Sequence, residues 1–166
     1  MESASKIWSP FRVCPSGLRA PAPRPIDTPD GVADRLRSVA FAELQAREAF
    51  LWAAGRFAEA PEKLRKAWRA LAKAEDRHCR WLLDRLGELE SAIEERPVSI
   101  HLWQSLVQCE TPKRFAFYMA GSEERGRQAG EFFRQKMAGA DRLTSEIFGR
   151  IAREEVEHIK LAAKFF

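Results

Sequence analysis

The chain has 166 residues, 45% of them hydrophobic and 31% charged, and a formal net charge of +4 at pH 7. These values predict one globular domain with a buried core and exclude a low-complexity, disordered chain. The mild positive charge comes from arginines spread along every predicted helix. We interpret these side chains as solvated helix faces rather than as a nucleic-acid surface.

The sequence indicates neither a membrane protein nor a secreted one. It contains no apolar run of about 18 residues, and its N-terminus lacks the apolar centre of a secretory signal. The three cysteines, Cys14, Cys79 and Cys109, have no metal-site spacing and cannot all pair, which is typical of a reducing compartment. We therefore expect a soluble, cytoplasmic protein that does not contact a membrane.

Residues 1–30 are predicted to form an extended N-terminal arm, and residues 31–166 to form a helical domain. The arm carries six of the nine prolines, which disfavour helix there, and Trp8 and Phe11 are expected to anchor it. Over the whole chain, alanine, leucine, arginine and glutamate are abundant, whereas valine, isoleucine and threonine are scarce. This balance favours helix over strand.

The first two helices are predicted from their apolar periodicity. Helix one should begin near Asp30 or Gly31 and run to about Ala58, and helix two should run from about Pro61 to Leu89. Each of these helices also carries charged or ionisable side chains within its apolar stripe.

Glu43 lies in the stripe of helix one, and Glu75 and His78 lie in the stripe of helix two. A glutamate in such a position is costly unless it is paired, hydrogen-bonded or bound to a metal. Because Glu75 and His78 are three residues apart, their carboxylate and imidazole lie on one helix face, one turn apart.

The connection from about Ser91 to Thr111 is long and contains a short predicted helix. Thr111 and Pro112 are interpreted as the N-cap and first residue of helix three, which runs to about Met137, and Asp141 caps helix four. A long crossover between helices two and three is typical of ferritin-like bundles, because a simple up-and-down bundle uses a short loop there. We therefore predict an all-α, ferritin-like four-helix bundle with this crossover and a proline-rich N-terminal arm.

Helix four repeats the Glu-x-x-His motif of helix two, with Glu155 and His158. Glu43 lies 32 residues before Glu75, and Glu123 lies 32 residues before Glu155. Two such motifs on two helices, with one glutamate from each of the other two, build a di-iron or di-manganese site. The sequence therefore predicts a two-metal site with six ligands: Glu43, Glu75, His78, Glu123, Glu155 and His158.

Helix three offers two neighbouring glutamates, which point about 100° apart. Glu123 shares its face with small residues that leave room for a metal centre, so we choose it over Glu124. His101 has no carboxylate partner at helical spacing and is interpreted as structural or solvent-facing. Four further glutamates are interpreted as surface charges: Glu48, Glu131, Glu154 and Glu157.

Five segments occur in a characteristic order: Phe41 to Ala46, Glu75 to His78, Pro97 to Trp103, Glu123 to Gly126, and Glu154 to His158. Together they resemble a little-characterised bacterial family of ferritin-like proteins with a di-iron carboxylate site, distantly related to the tRNA-hydroxylase di-iron enzymes. The similarity covers about residues 30–166. It implies the bundle and its metal site and supports Glu123 over Glu124, but it does not supply a substrate.

Four carboxylates and two imidazoles suit two divalent first-row ions, namely two iron ions, two manganese ions or one of each. Reduced di-iron sites of this kind activate dioxygen, so we expect an oxidase or monooxygenase with a small-molecule substrate and an external electron donor. Two alternatives stay open: a non-enzymatic protein of metal handling or oxidative stress, and a metal-free structural bundle. A homodimer and, with weaker support, a tRNA partner also stay open.

Overall fold

Two long helix hairpins form the framework of the computed structural model, which describes residues 7–15 and 17–166. These residues contain no β-strand and one isolated parallel bridge, between Val13 and Val98, so the all-α class is confirmed. Within them, no helix has both the length and the apolar character needed to cross a membrane. The named helical elements are α1 (Pro29–Arg56), α2 (Glu62–Glu88), a 3-10 turn (Ile93–Glu95), α3 (His101–Leu106), α4 (Pro112–Met137), α5 (Arg142–Ile159) and α6 (Leu161–Phe165).

The helices pack in pairs, α1 along α2 and α4 along α5. Each pair is antiparallel, because only a short loop joins its two helices. Residues 89–111 connect the two hairpins and contain the 3-10 turn and α3, as predicted for the crossover. Gln45 fastens the crossover to α1, since its Nε2 donates to the Ser99 carbonyl (3.2 Å) and its Oε1 accepts from the Trp103 N–H (3.0 Å).

Local sequence signals determine where the long helices begin. Thr28, Thr111 and Asp141 each cap the following helix by accepting a hydrogen bond from a backbone N–H in its first turn. Pro29 and Pro112 follow the two threonines, at a position where an N–H would have no helical partner. The predicted starts of helices three and four are confirmed, and α1 begins slightly earlier than predicted, at Pro29.

The N-terminal arm is docked on the helices. Trp8 and Phe11 are only 6% and 8% exposed, and the Trp8 ring lies edge-on to the rings of Phe41 and Trp103, with centroids 5.6 and 5.4 Å apart. The predicted anchoring role of these two aromatic residues is therefore confirmed. Residues 1–6 and Ser16 of the predicted arm lie outside the described residues.

The apolar core is divided into two clusters along the long helices. In α2, Trp68 belongs to one cluster and Leu82 to the other, and Glu75 lies between them. Glu43 has the equivalent position in α1, between residues of the two clusters. Glu43 and Glu75 therefore lie in a layer of the structure that has apolar packing on both sides.

Candidate metal centre

The four long helices bring six carboxylate and imidazole side chains together. These residues form two overlapping groups of four, and within each group one ligand atom per residue lies within 4.8 Å of the others. All six residues selected from the sequence are included, and Glu75 and Glu155 belong to both groups. The groups are Glu43, Glu75, His78 and Glu155, and Glu75, Glu123, Glu155 and His158.

Helical spacing explains this convergence. In α2 and in α5 the glutamate and histidine are three residues apart, so both side chains project from the same helix face. Glu43 in α1 and Glu123 in α4 each add one carboxylate from the facing helices. Because these six residues come from both hairpins, the candidate centre depends on how the hairpins pack against each other.

His78 is completely buried, and its two ring nitrogens face different carboxylates. Its Nδ1 lies 3.5 Å from Oε1 of Glu155 and 3.6 Å from Oε2 of both Glu43 and Glu75. Its Nε2 lies 3.4 Å from Oε1 of Glu154 instead. Nδ1 is therefore the nitrogen that faces the carboxylate cluster, and Glu154 lies behind the ring.

His158 contacts the same two shared carboxylates from α5. Its Nδ1 lies 3.1 Å from Oε1 of Glu75 and 3.7 Å from Oε2 of Glu155. Its ring is nearly parallel to that of His78, with an interplanar angle of 17° and centroids 5.9 Å apart. Each group of four contains one of these two imidazoles, His78 in the first group and His158 in the second.

Burial dominates the electrostatics of the four carboxyl groups. Burial and the nearby charge of Glu75 hold the pKa of Glu43 well above its usual range. Burial, together with the other three carboxylates, does the same to the pKa of Glu123. Burial also raises the pKa values of Glu75 and Glu155, so ionising all four groups together is costly unless a cation compensates them.

The two histidines respond to this environment in opposite directions. Burial lowers the pKa of His78, but the carboxylates of Glu155, Glu43 and Glu75 outweigh burial and raise the pKa to about 12. For His158, burial prevails and lowers the pKa. A protonated His78 and a bound metal cation are thus two alternative ways to compensate the same carboxylates.

Several polar atoms of the centre are buried without a hydrogen bond. No hydrogen-bond partner exists within residues 7–15 and 17–166 for Nδ1 and Nε2 of His78, Oε1 of Glu123 and Oε2 of Glu155. Each such atom costs about 1–3 kcal/mol, and native proteins rarely collect several in one place. Carboxylate oxygens and imidazole nitrogens are metal ligands, so these buried glutamate and histidine groups can hold a metal ion.

Glu123 and Glu124 point in different directions. Glu123 is 8% exposed and belongs to the second group of four. Glu124 points outward, where Nη2 and Nε of Arg127 donate to its oxygens at 2.6 and 2.8 Å. These hydrogen bonds, with one from Gln128, lower the pKa of Glu124 to about 2. The structure thus brings Glu123 into the cluster and leaves Glu124 outside it.

Glu154, interpreted from the sequence as a surface charge, is partly exposed and lies outside both groups, but it also lies near the ring of His78. Its side chain is 30% exposed, but Oε1 accepts a hydrogen bond from Nη2 of Arg77 at 2.6 Å and also lies near Nε2 of His78. The only signal in the sequence is adjacency, because Glu154 precedes Glu155 and Arg77 precedes His78. Glu48 is also only partly exposed, at 20%, because Arg47 pairs with it at 2.7 Å. Four residues that the sequence placed away from the centre lie outside both groups: Glu48, His101, Glu131 and Glu157.

A cavity of about 110 Å³ lies between α1, α4 and α5 and reaches the centre. Its lining includes the four clustered carboxylates and also Gly126, which is exposed to solvent. The cavity therefore connects solvent with the candidate metal centre. Most of the remaining wall is apolar and includes Val39, Ala42, Met119, Phe148 and Ile151.

Fold and site together define an all-helical protein with a buried group of glutamates and histidines that can hold a metal ion. Residues 11–166 match the family described as "Protein of unknown function (DUF455)", and the chain belongs to that family. No curated protein and no solved structure matches the chain. Because the family description carries no activity, the function has to be inferred from the chemistry of the centre.

Proposed function

We propose that this protein is a ferritin-like four-helix bundle that binds two transition-metal ions and activates dioxygen as an oxidase or monooxygenase. The observation that carries the proposal is the sharing of Glu75 and Glu155 between two groups of four ligands. Each shared carboxylate turns one oxygen towards Nδ1 of His78 and the other towards Nδ1 of His158. A carboxylate that bridges two metal ions through both of its oxygens would present them in this way.

Besides Glu75 and Glu155, which both groups share, each proposed ion would be held by one imidazole and one outer carboxylate. These are His78 and Glu43 for one ion, and His158 and Glu123 for the other. Four carboxylates balance the charge of two divalent ions, which reduces the penalty of burying them. The mixed oxygen and nitrogen donors suit iron or manganese better than calcium or magnesium. Iron is the first choice, and two manganese ions or a mixed pair are the alternatives.

Reduced iron bound in this centre would supply the electrons that activate dioxygen. The residues of the chain would hold the ions, and Glu154 would orient His78. Apolar packing on both sides of the centre would limit the access of water. The cavity gives small molecules a route to Glu43 and Glu123. A monooxygenase would transfer one oxygen atom to its substrate and reduce the other to water, with two electrons from an external donor.

A non-enzymatic role in metal handling or oxidative stress would use the same ligands. The cavity beside the centre favours an enzyme, because metal storage does not need a pocket for an organic molecule. A metal-free structural bundle is disfavoured by the buried atoms that lack a hydrogen bond among the described residues. Apolar side chains would fill the same space at lower cost.

Elemental analysis of protein expressed in iron- and manganese-supplemented medium tests the metal centre. We expect about two transition-metal ions per chain and the loss of both in the double variant Glu75→Ala/Glu155→Ala. The double variant Glu48→Ala/Glu157→Ala, altered outside the centre, is the matched control. The proposal is overturned if wild-type protein holds no transition metal after anaerobic reconstitution with Fe(II) or Mn(II).

Dioxygen uptake by the Fe(II) protein then separates the enzyme from a storage protein. With a chemical reductant, an oxidase or monooxygenase should consume dioxygen repeatedly while its iron content stays constant. Accumulation of many iron ions per chain in a cage-like assembly, without sustained uptake, would identify iron storage instead.

A further inference from the structure

The cavity beside the candidate metal centre has an almost entirely apolar wall. Apart from the four carboxylates at the centre, Ser122 is the only polar residue of its lining among the described residues. The other lining residues are aliphatic, aromatic, sulfur-containing or glycine, and they come from α1, α3, α4 and α5. With the four carboxylates compensated by bound metal ions, a charged group that entered this space would lose its hydration without gaining a partner on the rest of the wall. An apolar group would leave water at no such cost.

The size of the cavity limits what it can hold. An apolar cavity of about 150 Å³ in another protein takes up benzene, which has six non-hydrogen atoms. In proportion, the volume of about 110 Å³ found here accommodates roughly four or five non-hydrogen atoms. The exposed position of Gly126 in the lining means that the occupant need not be enclosed on all sides.

We infer that this cavity is the substrate pocket and that it binds an uncharged, apolar group such as a short alkyl or alkenyl group. The inference rests on the proposed function, since the group is held next to the ligands Glu43 and Glu123. The group is either a free small hydrocarbon or the apolar end of a larger molecule that remains outside the mouth at Gly126.

Gly126 also provides a way to close the pocket. A Cβ atom built on this helical glycine meets no heavy atom within 4 Å, so a larger side chain is tolerated there and projects at the cavity mouth. Gly126→Leu should therefore narrow the pocket without displacing a ligand of the centre. Gly55 in α1 is an equally unhindered and exposed helical glycine that does not line the cavity. Gly55→Leu is thus the matched control.

Methionine provides a spectroscopic probe of occupancy. Met119 lines the cavity, whereas Met137 is buried in the apolar core away from it. In full-length protein labelled with ¹³C at its methionine methyl groups, neopentane should produce a saturable shift of the Met119 signal and leave the Met137 signal unchanged. Tetramethylammonium has the same shape as neopentane but carries a charge, so it should not shift Met119 in protein loaded with Zn(II).

The variants and a longer ligand complete the test. Gly126→Leu, and independently Ala129→Leu on the same wall, should weaken neopentane binding at least tenfold, whereas Gly55→Leu should bind it like wild type. Pentyl glucoside carries an apolar chain on a large polar head. If the natural substrate is a larger molecule with an apolar end, both pentyl glucoside and neopentane should shift the Met119 signal. If the natural substrate is a small hydrocarbon, only neopentane should shift it. Absence of a Met119 shift with neopentane, or equal binding of tetramethylammonium, overturns the inference.

Metal analysis of the same samples separates this inference from the proposed function. Metal content that is equal in wild type and Gly126→Leu shows that lost neopentane binding comes from the pocket and not from a damaged centre. Neopentane binding by a chain that takes up no transition metal would refute the metal centre and retain an apolar pocket without its catalytic role. Metal binding without neopentane binding would refute the pocket alone.

Discussion

Oε1 of Glu154 lies 3.4 Å from Nε2 of His78, whereas Nδ1 of the same ring faces the clustered carboxylates. Arg77 holds Glu154 in this position through a hydrogen bond of 2.6 Å. If a metal ion replaces the proton on Nδ1, the facing carboxylate of Glu154 would favour the remaining proton on Nε2 and so direct the Nδ1 lone pair into the centre. We therefore propose that Glu154 positions His78, the proposed metal ligand.

Substitution of Glu154 should weaken metal binding although this residue does not itself belong to either ligand group. We expect Glu154→Ala to lower metal affinity roughly tenfold to a hundredfold, measured by competition with a chelator. Glu154→Gln keeps an acceptor oxygen and should recover most of the loss. Glu157→Ala, which removes an exposed partner of Lys160, is the control. Unchanged affinity in Glu154→Ala would contradict a positioning role.

Variants that lack a shared carboxylate should retain less metal than variants that lack an outer carboxylate. Glu75 belongs to both groups of four, whereas Glu43 belongs to one. Glu75→Ala should therefore lose both ions, and Glu43→Ala should lose mainly one. Metal-to-protein ratios from elemental analysis, with Glu48→Ala as the control, distinguish these outcomes. Equal ratios in the two variants would argue against Glu75 as a bridge.

Helical periodicity made much of the centre predictable. The three-residue spacing of Glu75 and His78, and of Glu155 and His158, fixes their common face from local geometry alone. The prediction that Glu123 points inward followed from the small residues on its stripe. The capping signals that begin helices three and four are also local, because a cap needs only the next turn of chain.

Features that depend on contacts between segments distant in the sequence could not be predicted from helical periodicity. Glu154 lies 100° around the helix from Glu155, and only the packing of α2 against α5 shows that this direction leads to His78. The cavity near Gly126 depends in the same way on the distance between helices from both hairpins. The burial of Asp34 beside the N-terminal arm could not be predicted either, because three of its hydrogen bonds come from Arg24, in a different segment of the chain.

Glu123 and Glu124 give a direct test of the register of α4. Glu123→Ala should lower metal occupancy at one of the two positions, because its carboxylate is buried in the centre. Glu124→Ala should leave occupancy close to that of wild type, since this carboxylate pairs with Arg127 at the surface. Elemental analysis with parallel reconstitution measures both. Equal loss from the two variants would mean that α4 is irregular at this point.

The same carboxylate should oppose folding when no metal is bound. The pKa of Glu123 is raised above its usual 4.5, so the folded state holds this proton more tightly than the unfolded state, and stability falls as the pH rises past that value. Glu123→Gln should therefore raise the Tm of chelator-treated protein at pH 7 by several degrees. Calorimetry with added Fe(II) or Mn(II) should show a larger stabilisation of wild type than of the variant. An identical metal response in both proteins would exclude Glu123 as a ligand.

Asp34 anchors the N-terminal arm to α1 through charge-assisted hydrogen bonds. Its side chain is 5% exposed, and it accepts hydrogen bonds from the backbone N–H, Nε and Nη2 of Arg24 at 2.9, 3.0 and 2.8 Å. Arg37, itself buried, donates a further hydrogen bond at 3.2 Å. Although burial raises its pKa, these contacts prevail and lower the pKa of Asp34 from 3.8 to about 2.

This depressed pKa gives the anchor a defined dependence on pH. Because the folded state binds this proton less tightly than the unfolded state, the contribution of Asp34 to stability is complete above about pH 4 and is lost as the pH falls towards 2. Asp34→Asn should therefore lower the free energy of unfolding at pH 7 by about 2 kcal/mol, measured by urea denaturation. Asp30→Asn, at an exposed carboxylate that also pairs with Arg24, should change it little. The difference in free energy of unfolding between wild type and Asp34→Asn should become smaller as the pH falls from 4 to 2. A difference that does not depend on pH would show that packing, not charge, holds the arm.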